Sequence, residues 1–345
     1  MDHKTRILLA GLISISCVLT GWSGKIVYPW RATTAIVKAS ESFEVWFNAN
    51  AGQTVNAVEL KGPYNRVAAE MTAKTGNWVY DQLSGNTFNT KLSVTVPGGV
   101  PSDRYALILK TSDGDEVSTG SVKVIRDYRK HYYILQFSDA HRWQGGHDGM
   151  HTMRKISEIL KIARIVDPEI IFETGDNMYN VRNHPEREES YFHGFPAEGI
   201  LGMHDVPAAT FIAAGNHDSP NNSYPKDANV AETADFFNTS YGLYVHNFIY
   251  GNGRYCVFNN AWGTGSVDLT GQANAAVSWL NAVGPGNLIV GAAHIMDAEF
   301  QPFYDVVEVD LGLAGHNHYL ARENPRSLNE EPVLFLADSA VSYTH

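Results

Sequence analysis

The sequence is poor in cysteine and in positive charge, and each shortage excludes a class of protein. Only two of the 345 residues are cysteines, Cys17 and Cys256, which is too few for a disulfide framework. Lysine and arginine together number 26, against 37 aspartates and glutamates, which gives a net charge of −11. Because loose binding to nucleic acid needs a basic surface, we expect no nucleic-acid partner. The 18% of charged and 44% of apolar residues form an ordinary globular mixture, which excludes a disordered chain or a coiled coil.

Long apolar runs are also scarce, and the run near the N-terminus has the length of a secretion signal. It covers the 13 residues Ile7–Leu19, with Lys4 and Arg6 before it and the small residues Gly21 and Ser23 after it. This three-part order is typical of a secretory signal, and the run is too short to span about 30 Å of hydrocarbon as a helix. We predict a signal peptide over residues 1–23, export to the periplasm, the cell surface or the medium, and no transmembrane anchor.

Two alternatives concern the same segment. It is either cleaved or retained as an N-terminal anchor, and cleavage fits the pattern better. Cys17 is a candidate for lipid attachment, although the preceding Ser14-Ile15-Ser16 matches a lipoprotein signal poorly. After cleavage Cys256 is the only cysteine left, and its apolar surroundings in the sequence predict a small buried residue.

Residues 24–127 alternate apolar and polar side chains, which is the pattern of half-buried strands. Examples are Phe43, Val45 and Phe47, and later Leu92, Val94 and Val96. Turn signals such as Pro97-Gly98-Gly99 separate the runs, and no helical pattern of useful length occurs. We predict a small all-β domain, an immunoglobulin-like β-sandwich that serves as a spacer or docking module.

In residues 128–345 short apolar strands alternate with helical patterns. Strands are predicted at 132–137, 170–172, 210–214, 255–258, 288–292, 311–314 and 333–336. Helices are predicted at 150–166, where Asp167-Pro168 ends the pattern, and at 270–283. Strands interleaved with helices indicate an α/β domain whose sheet is largely buried.

Five of these strands are followed by groups that can bind a metal ion. The motifs are Asp139-Ala140-His141, Gly175-Asp176, Gly215-Asn216-His217-Asp218, His294, and Gly315-His316-Asn317-His318. Because the carboxyl ends of strands form the ligand crevice of open α/β sheets, we expect the five motifs to converge. Each motif alone also fits a turn or a core histidine, but chance does not explain five of them in this order.

The candidate ligands combine carboxylate, amide and imidazole groups and contain no thiolate. They are Asp139, His141, Asp176, Asn216, His294, His316 and His318. Such a set suits Mn²⁺, iron or Zn²⁺ better than Ca²⁺ or a structural zinc finger. Seven protein ligands are too many for one catalytic ion with an open position. We therefore expect two transition-metal ions bridged by a carboxylate, an arrangement that serves in-line displacement at phosphorus.

Over residues 131–338 these motifs resemble the five-block signature of the calcineurin-like metallophosphoesterases. The resemblance implies a metallophosphoesterase β-sandwich flanked by helices. It also implies that Asp139, His141 and His318 hold one ion. Asn216, His294 and His316 would hold the second ion, and Asp176 would bridge the two.

The same resemblance implies catalytic roles for two further residues. A hydroxide shared by the metal ions would attack phosphorus. His217 would contact the phosphate and protonate or stabilise the leaving oxygen. Asp218 would orient His217 and favour its protonated form.

Two features depart from the family pattern. Asp176-Asn177-Met178-Tyr179 also resembles a block of the purple acid phosphatases, whose β-domain and phosphoesterase layout is similar and whose tyrosine binds ferric iron. Those enzymes have a glycine where this chain has His141, so we expect Tyr179 to be a near neighbour of the metals and not a ligand. The chain also ends soon after the strand at 333–336, where relatives often continue, so the sequence is either a fragment or a naturally short form.

Loop residues beside the motifs are candidates for the substrate pocket. Arg142 and Arg182 have the chemistry to bind a phosphate oxygen, and Trp143 or Tyr224 to stack on a base or sugar, with plain exposed loop residues as an equal alternative. The negative net charge favours a small phosphoester, either a monoester or a diester. The sequence thus predicts an exported, dimetal-dependent phosphoesterase. The alternative is a surface binding protein with a catalytically retired phosphoesterase domain, which the retained ligands disfavour.

Overall fold

The computed structural model describes residues 26–142, 149–178, 185–220, 229–262, 267–284, 286–295 and 300–316. Several predictions lie outside the described residues. They concern the signal peptide at 1–23 with Cys17, the pocket residues Trp143, Arg182 and Tyr224, and Tyr179, His318 and the strand at 333–336. Among the described helices, none has both the length and the apolar composition needed to cross a membrane.

Strands alone make up the regular structure of residues 26–125. They are β1 (Ile26–Tyr28), β2 (Ala35–Lys38), β3 (Ser42–Phe47), β4 (Val55–Lys61), β5 (Arg66–Val79), β6 (Thr87–Thr95), β7 (Asp103–Thr111) and β8 (Gly114–Ile125). Their order in the sheet is β1-β3-β6-β5-β4-β7-β8-β2. The alternation in β3 buries Phe43, Val45 and Phe47 on one face, as predicted.

Strand β5 joins the two halves of this sheet. Its residues 66–69 pair with β4, and its residues from 70 onwards pair with β6. Val45 and Leu92 from one half share an apolar cluster with Leu60 and Leu107 from the other half, so the sheet encloses a common core. The all-β character of this region is thus observed, while its immunoglobulin-like type and the boundaries of the two domains stay predictions.

Strands and helices alternate in the remainder of the described chain. The elements are β9 (Ile134–Phe137), α1 (Gly149–Val166), β10 (Ile170–Glu173), α2 (Pro185–His193), β11 (Ala209–Ile212), α3 (Val230–Ser240), β12 (His246–Tyr250), β13 (Gly253–Val257), α4 (Leu269–Val283), β14 (Leu288–Ala292) and β15 (Leu311–Leu313). They form one sheet of order β11-β10-β9 and a second of order β12-β13-β14-β15. The predicted mixed α/β fold is confirmed.

The two sheets pack face to face, and helices cover their outer faces. Phe172 and Phe211 of the first sheet share an apolar cluster with Tyr255 and Val290 of the second. Side chains of α1, α2 and α3 form a cluster on one outer face, and those of α4 form a cluster on the other. Cys256 is buried in the cluster beside α4, which confirms that it is a small core residue.

Parallel pairing brings the strand ends to a common edge. Phe137, Glu173 and Ile212 are register partners at the ends of β9, β10 and β11. Val257, Ala292 and Leu313 are partners at the ends of β13, β14 and β15 in the same way. The polar motifs follow these residues in the sequence, so the fold itself gathers them at one end of the sandwich.

The N-terminal sheet packs directly against the strand that leads to Asn216. Thr33 forms an antiparallel bridge with Phe211, a residue of β11. The guanidinium of Arg104, a buried residue of β7, donates hydrogen bonds to the carbonyl of Ala208 and the hydroxyl of Thr210. These contacts attach the N-terminal sheet directly to the edge of β11. A domain that served only as a spacer would not need such contacts.

Candidate metal centre

One group of predicted ligands surrounds the imidazole of His294. Its Nε2 atom lies 3.2 Å from Oδ2 of Asp176 and 3.0 Å from Oδ1 of Asn216. Nδ1 of His316 lies 3.2 Å from the same nitrogen. These four residues follow β10, β11, β14 and β15, so each sheet contributes two of them.

A second group lies on the other side of the same carboxylate. Nε2 of His141 is 3.5 Å from Oδ2 of Asp176 and 3.7 Å from Oδ1 of Asp139. Nε2 of His217 is 4.0 Å from Oδ2 of Asp176, and its ring centroid is 4.8 Å from that of His141. The structure therefore brings together six of the seven predicted ligands and places Asp176 between two groups. The seventh, His318, lies outside the described residues.

The spacing of these atoms fits transition-metal coordination. With bonds of about 2.1 Å to nitrogen and oxygen, neighbouring ligand atoms of one ion lie about 3.0–3.4 Å apart. The separations given for the predicted ligands, from 3.0 to 3.7 Å, are close to this range, and His217 lies farther from Asp176 at 4.0 Å. Asp139, Asp176 and His294 are almost completely buried, and buried ionisable groups of this kind require either partners or a metal ion.

The electrostatics of the centre demand positive charge. Burial alone would raise the pKa of Asp176, but the imidazole of His294 and its neighbours hold that pKa well below its ordinary value. The pKa of His294 is raised to about 9, because the attraction of Asp176 outweighs the effect of burial. The opposite shifts of these two pKa values show that positive charge is favoured beside Asp176.

Backbone conformation at the centre is unusual. Asp139, His141, Asp176 and His316 have φ values of 56°, 42°, 54° and 72°, in the left-handed region that residues other than glycine rarely adopt. Such conformations cost about 1–3 kcal/mol each and persist where the surroundings hold them in place. Four predicted ligands share this strain, which indicates that the loops are built to aim these side chains.

Two motif glycines allow the loops to approach each other. A Cβ atom on Gly175 would lie 2.6 Å from Nδ1 of His294. A Cβ atom on Gly215 would lie 2.0 Å from the amide nitrogen of Asp176. Because backbone and buried ligands have no room to move, any side chain at these two positions would push the motifs apart.

Asp218 binds main-chain amides through both of its carboxylate oxygens. Its Oδ2 accepts hydrogen bonds from the amides of Asp176 at 3.0 Å and Gly215 at 2.9 Å. Its Oδ1 accepts one from the amide of Met178 at 3.1 Å. Both oxygens of Asp218 thus hold the two metal-ligand loops together, and its orientation of His217 stays a prediction.

His217 lies at the accessible side of the centre. Its side chain is 15% exposed, compared with 3% for His141 and 0% for His294. Burial lowers the pKa of His217 to about 4; Asp176 opposes this, and His141 and His294 lower it further. The protonated form of His217 that the family resemblance implies stays a prediction.

Arg142 is buried, so its predicted role in phosphate binding is wrong. Its side chain has no exposed surface, and its Nε donates a hydrogen bond to Oδ1 of Asn177 at 2.8 Å. The guanidinium lies 4.3 Å from the ring centroid of Tyr191 and 3.9 Å from Oε2 of Glu188. This arginine acts inside the protein as the counter-charge of buried acids.

Glu188 gives the protein a predictable dependence of stability on pH. Burial raises the pKa of Glu188 from 4.5 to about 7, although Arg142 and a hydrogen bond from the Tyr241 hydroxyl act in the opposite direction. Between pH 4.5 and 7 the folded state therefore binds more protons than the unfolded state. This contribution to stability is complete below pH 4.5 and is lost as the pH rises through 7.

We expect Glu188→Gln to remove this contribution to the pH dependence. At pH 8 the free energy of unfolding should exceed that of the wild type by about 3 kcal/mol, because the variant buries no charge at this position. Denaturant unfolding at pH 5 and pH 8 measures the difference, with the exposed Glu198→Gln as the control. Equal pH dependence in wild type and Glu188→Gln would contradict the assignment.

Two further residues hold the centre and were not predicted from the sequence. Oδ1 of Asn260 accepts hydrogen bonds from the amides of His294 and Ile295. The indole of Trp262 donates a hydrogen bond to the carbonyl of Gly215 at 2.9 Å. Asn260 follows β13 closely, so the rule that polar residues after buried strands face the crevice would have found it. No comparable sequence pattern would have identified Trp262.

The geometry of the centre is compatible with a pair of metal ions, and a comparison with known families gives the class of protein. The family profile described as calcineurin-like phosphoesterase matches residues 132–320, more than half of the chain. The chain therefore belongs to the calcineurin-like phosphoesterase family. No curated protein sequence matches this chain.

Solved structures show weaker similarity. A purple acid phosphatase, PPD1, from seeds of yellow lupin (Lupinus luteus) is 15% identical, with a TM-score of 0.45. The match covers 82% of this chain and 57% of the lupin chain. The glucan-utilisation protein SGBP-B of Bacteroides ovatus is 20% identical over 31% of this chain and 22% of its own, with a TM-score of 0.19. The assignment rests on the family match.

Proposed function

We propose that this protein is a dimetal-dependent phosphoesterase that hydrolyses a phosphomonoester or phosphodiester. One observation carries the proposal: Asp176 lies between two groups of imidazole, carboxylate and amide ligands, each spaced for one ion. A carboxylate shared in this way fits a pair of ions, and membership of the phosphoesterase family supports the reaction class.

The proposed mechanism assigns each side chain a distinct task. Asp139 and His141, with the predicted ligand His318, would hold one ion. Asn216, His294 and His316 would hold the other, and Asp176 would bridge them. When bound, the two ions would lower the pKa of a water molecule and neutralise charge on the phosphate.

The other residues orient this assembly and contact the substrate. His217, the more exposed histidine, donates a hydrogen bond that stabilises charge on a phosphate or leaving-group oxygen. Asp218 keeps the Gly175–Met178 and Gly215–Asn216 loops in register through their amides, so that the ligands are preorganised. Transition-metal ions, namely manganese, iron or zinc, are the cofactors that this donor set suits.

Substrate size and location form part of the same proposal. The net charge of −11 disfavours approach of a polyanion such as DNA or RNA, so we infer a small phosphoester as the substrate. The N-terminal pattern of basic residues, apolar run and small residues supports export through a signal peptide.

The competing function is that of a surface binding protein with a retired catalytic domain. Such a protein would bind its partner equally well after removal of metal. The two groups of described ligands and the strained conformation of four of the predicted ligands favour an enzyme, because a retired site has no need to maintain that strain.

Removal and return of metal tests the proposed function. Protein stripped by a chelator should not hydrolyse para-nitrophenyl phosphate or its bis ester, and Mn²⁺, Fe²⁺ or Zn²⁺ should restore activity on one of them. Ca²⁺ should restore little, because the imidazole-rich donor set does not suit it. Full activity of metal-free protein, or two bound ions with no turnover of either ester, would contradict the proposal.

A further inference from the structure

The loops that carry His141 and Asp176 are joined by a side chain that is not itself a predicted ligand. Main-chain bonds run from the amide of His141 to the carbonyl of Asp176 at 2.9 Å and from the amide of Arg142 to the carbonyl of Asn177 at 3.0 Å. The side chain of Asn177 adds a third link, because its Oδ1 accepts a hydrogen bond from Nε of Arg142 at 2.8 Å.

The other end of the Asn177 amide is fixed to the sheet. Its Nδ2 donates a hydrogen bond to Oε2 of Glu173 at 2.7 Å, and Glu173 is the last residue of β10. The same oxygen accepts a hydrogen bond from the hydroxyl of Tyr191, whose ring lies under the guanidinium of Arg142. These four side chains, which we call the buried cycle, thus close on themselves, and all four are fully buried.

The position of the buried cycle matches the strain described above. His141 and Asp176 both have left-handed backbone conformations, and Arg142 and Asn177 directly follow them in the chain. A strained turn keeps its shape only if its neighbours prevent relaxation. The amide of Asn177 is held at both ends, and this fixes the residue that follows Asp176 relative to the residue that follows His141.

We propose that Asn177 is a positioning residue that sets the angle and separation of the Asp176 and His141 side chains for metal binding. Any effect of Asn177 on catalysis rests on the proposed function. Its effect on metal affinity does not, and metal affinity can be measured directly. A purely structural role predicts instead that changes at Asn177 alter stability and leave metal binding unchanged.

The buried cycle permits a test in which donor and acceptor are exchanged. Asn177→Asp keeps the acceptor for Arg142 but turns the donor that faces Glu173 into a second carboxylate. Adding Glu173→Gln supplies an amide donor on the opposite side, so the double variant restores a hydrogen bond of reversed polarity with nearly the same volume. The Tyr191 hydroxyl, which donates to this Glu173 oxygen in the wild type, would then rotate to accept the second hydrogen of the new amide. Asn177→Ser shortens the side chain without adding charge. It replaces Asn177→Asp as the test variant if Asn177→Asp does not fold.

A matched control exists elsewhere in the structure. Asn238 donates a hydrogen bond to Oδ2 of Asp81 at 2.7 Å, the same amide–carboxylate contact at the boundary between the N-terminal sheet and α3. Asn238→Asp should lower the melting temperature but leave metal affinity at the wild-type value.

The full-length variants are stripped of metal and titrated with Co²⁺, whose visible absorption reports coordination geometry, and melting temperature is recorded in parallel. We expect Asn177→Asp or Asn177→Ser to weaken Co²⁺ binding about 10–100-fold and to change the absorption bands. The pair Glu173→Gln with Asn177→Asp should recover affinity to within about threefold and restore the bands.

Two results would overturn the proposal. The first is wild-type affinity and absorption in a folded Asn177→Asp or Asn177→Ser protein. The second is a double variant that binds no better than Asn177→Asp alone. Because these readouts do not use turnover, a wild type that binds two ions but hydrolyses no ester would contradict the proposed function and leave this inference standing.

Discussion

Replacing Asp176 by asparagine is expected to lower kcat/KM about a thousandfold, since two ions contribute several kcal/mol to the transition state and 1.4 kcal/mol is tenfold in rate. The change is nearly isosteric, and the amide oxygen still accepts the hydrogen bond from the amide of His217 that Oδ1 accepts at 2.7 Å. The loss therefore comes from the missing charge between the two ligand groups. Steady-state kinetics with para-nitrophenyl phosphate and its bis ester measure it.

The same substitution on an exposed residue provides the control. Asp235 accepts a hydrogen bond from Asn86 on the surface, and Asp235→Asn should retain wild-type activity. Metal should raise the melting temperature of the wild type and of Asp235→Asn, but hardly that of Asp176→Asn, because a ligand stabilises only the state that binds it. Equal thermal stabilisation of all three proteins by metal would show that Asp176 does not bridge the ions.

His217→Ala is expected to reduce kcat about 10²–10³-fold, the usual effect of removing one preorganised donor to a developing charge. Metal content should stay at two ions per chain, because His217 lies beside the proposed ligands, at 4.0 Å from Oδ2 of Asp176. Kinetics and metal analysis on the same preparation separate the two properties. The exposed His131→Ala should behave as wild type.

A different outcome would change the role of this histidine. The side-chain nitrogens of His217 and His141 lie within 4.8 Å of each other and of Asp176, which is also compatible with a shared ion. Loss of one ion from His217→Ala would make the residue a ligand and contradict its assignment as a group that contacts substrate.

Much of the fold was predictable because burial leaves a periodic pattern in the sequence. The strands β10, β13 and β14 and the helices α1 and α4 lie where the patterns placed them. Strand β5 is harder to predict because none of its 14 residues is fully buried. Val67, Ala69 and Met71 alternate with exposed residues in its first half, but almost all of its second half is exposed. Helix α2 is short and highly charged, and only its fold context, with Glu188 and Tyr191 buried, makes it a helix.

For the candidate site, the residue types and the strand ends that carry them were predictable. Chain order alone places Asp139, Asp176 and His294 after parallel strands, and the fold brings them together. The hydrogen-bond partners of the site residues were not predictable, because they depend on the conformation of backbone turns, which the sequence pattern does not reveal. Asp218 therefore binds amides where an imidazole contact was expected, and Arg142 points inwards although it lies in a loop motif.

The central claim is that activity requires two ions held around Asp176. The most direct test adds Mn²⁺ or Zn²⁺ in steps to metal-free protein and measures bound metal and ester hydrolysis on each sample. We expect two ions per chain and hydrolysis that rises as the second ion binds. Saturation at a single ion with full activity, or hydrolysis that does not depend on metal, would contradict it.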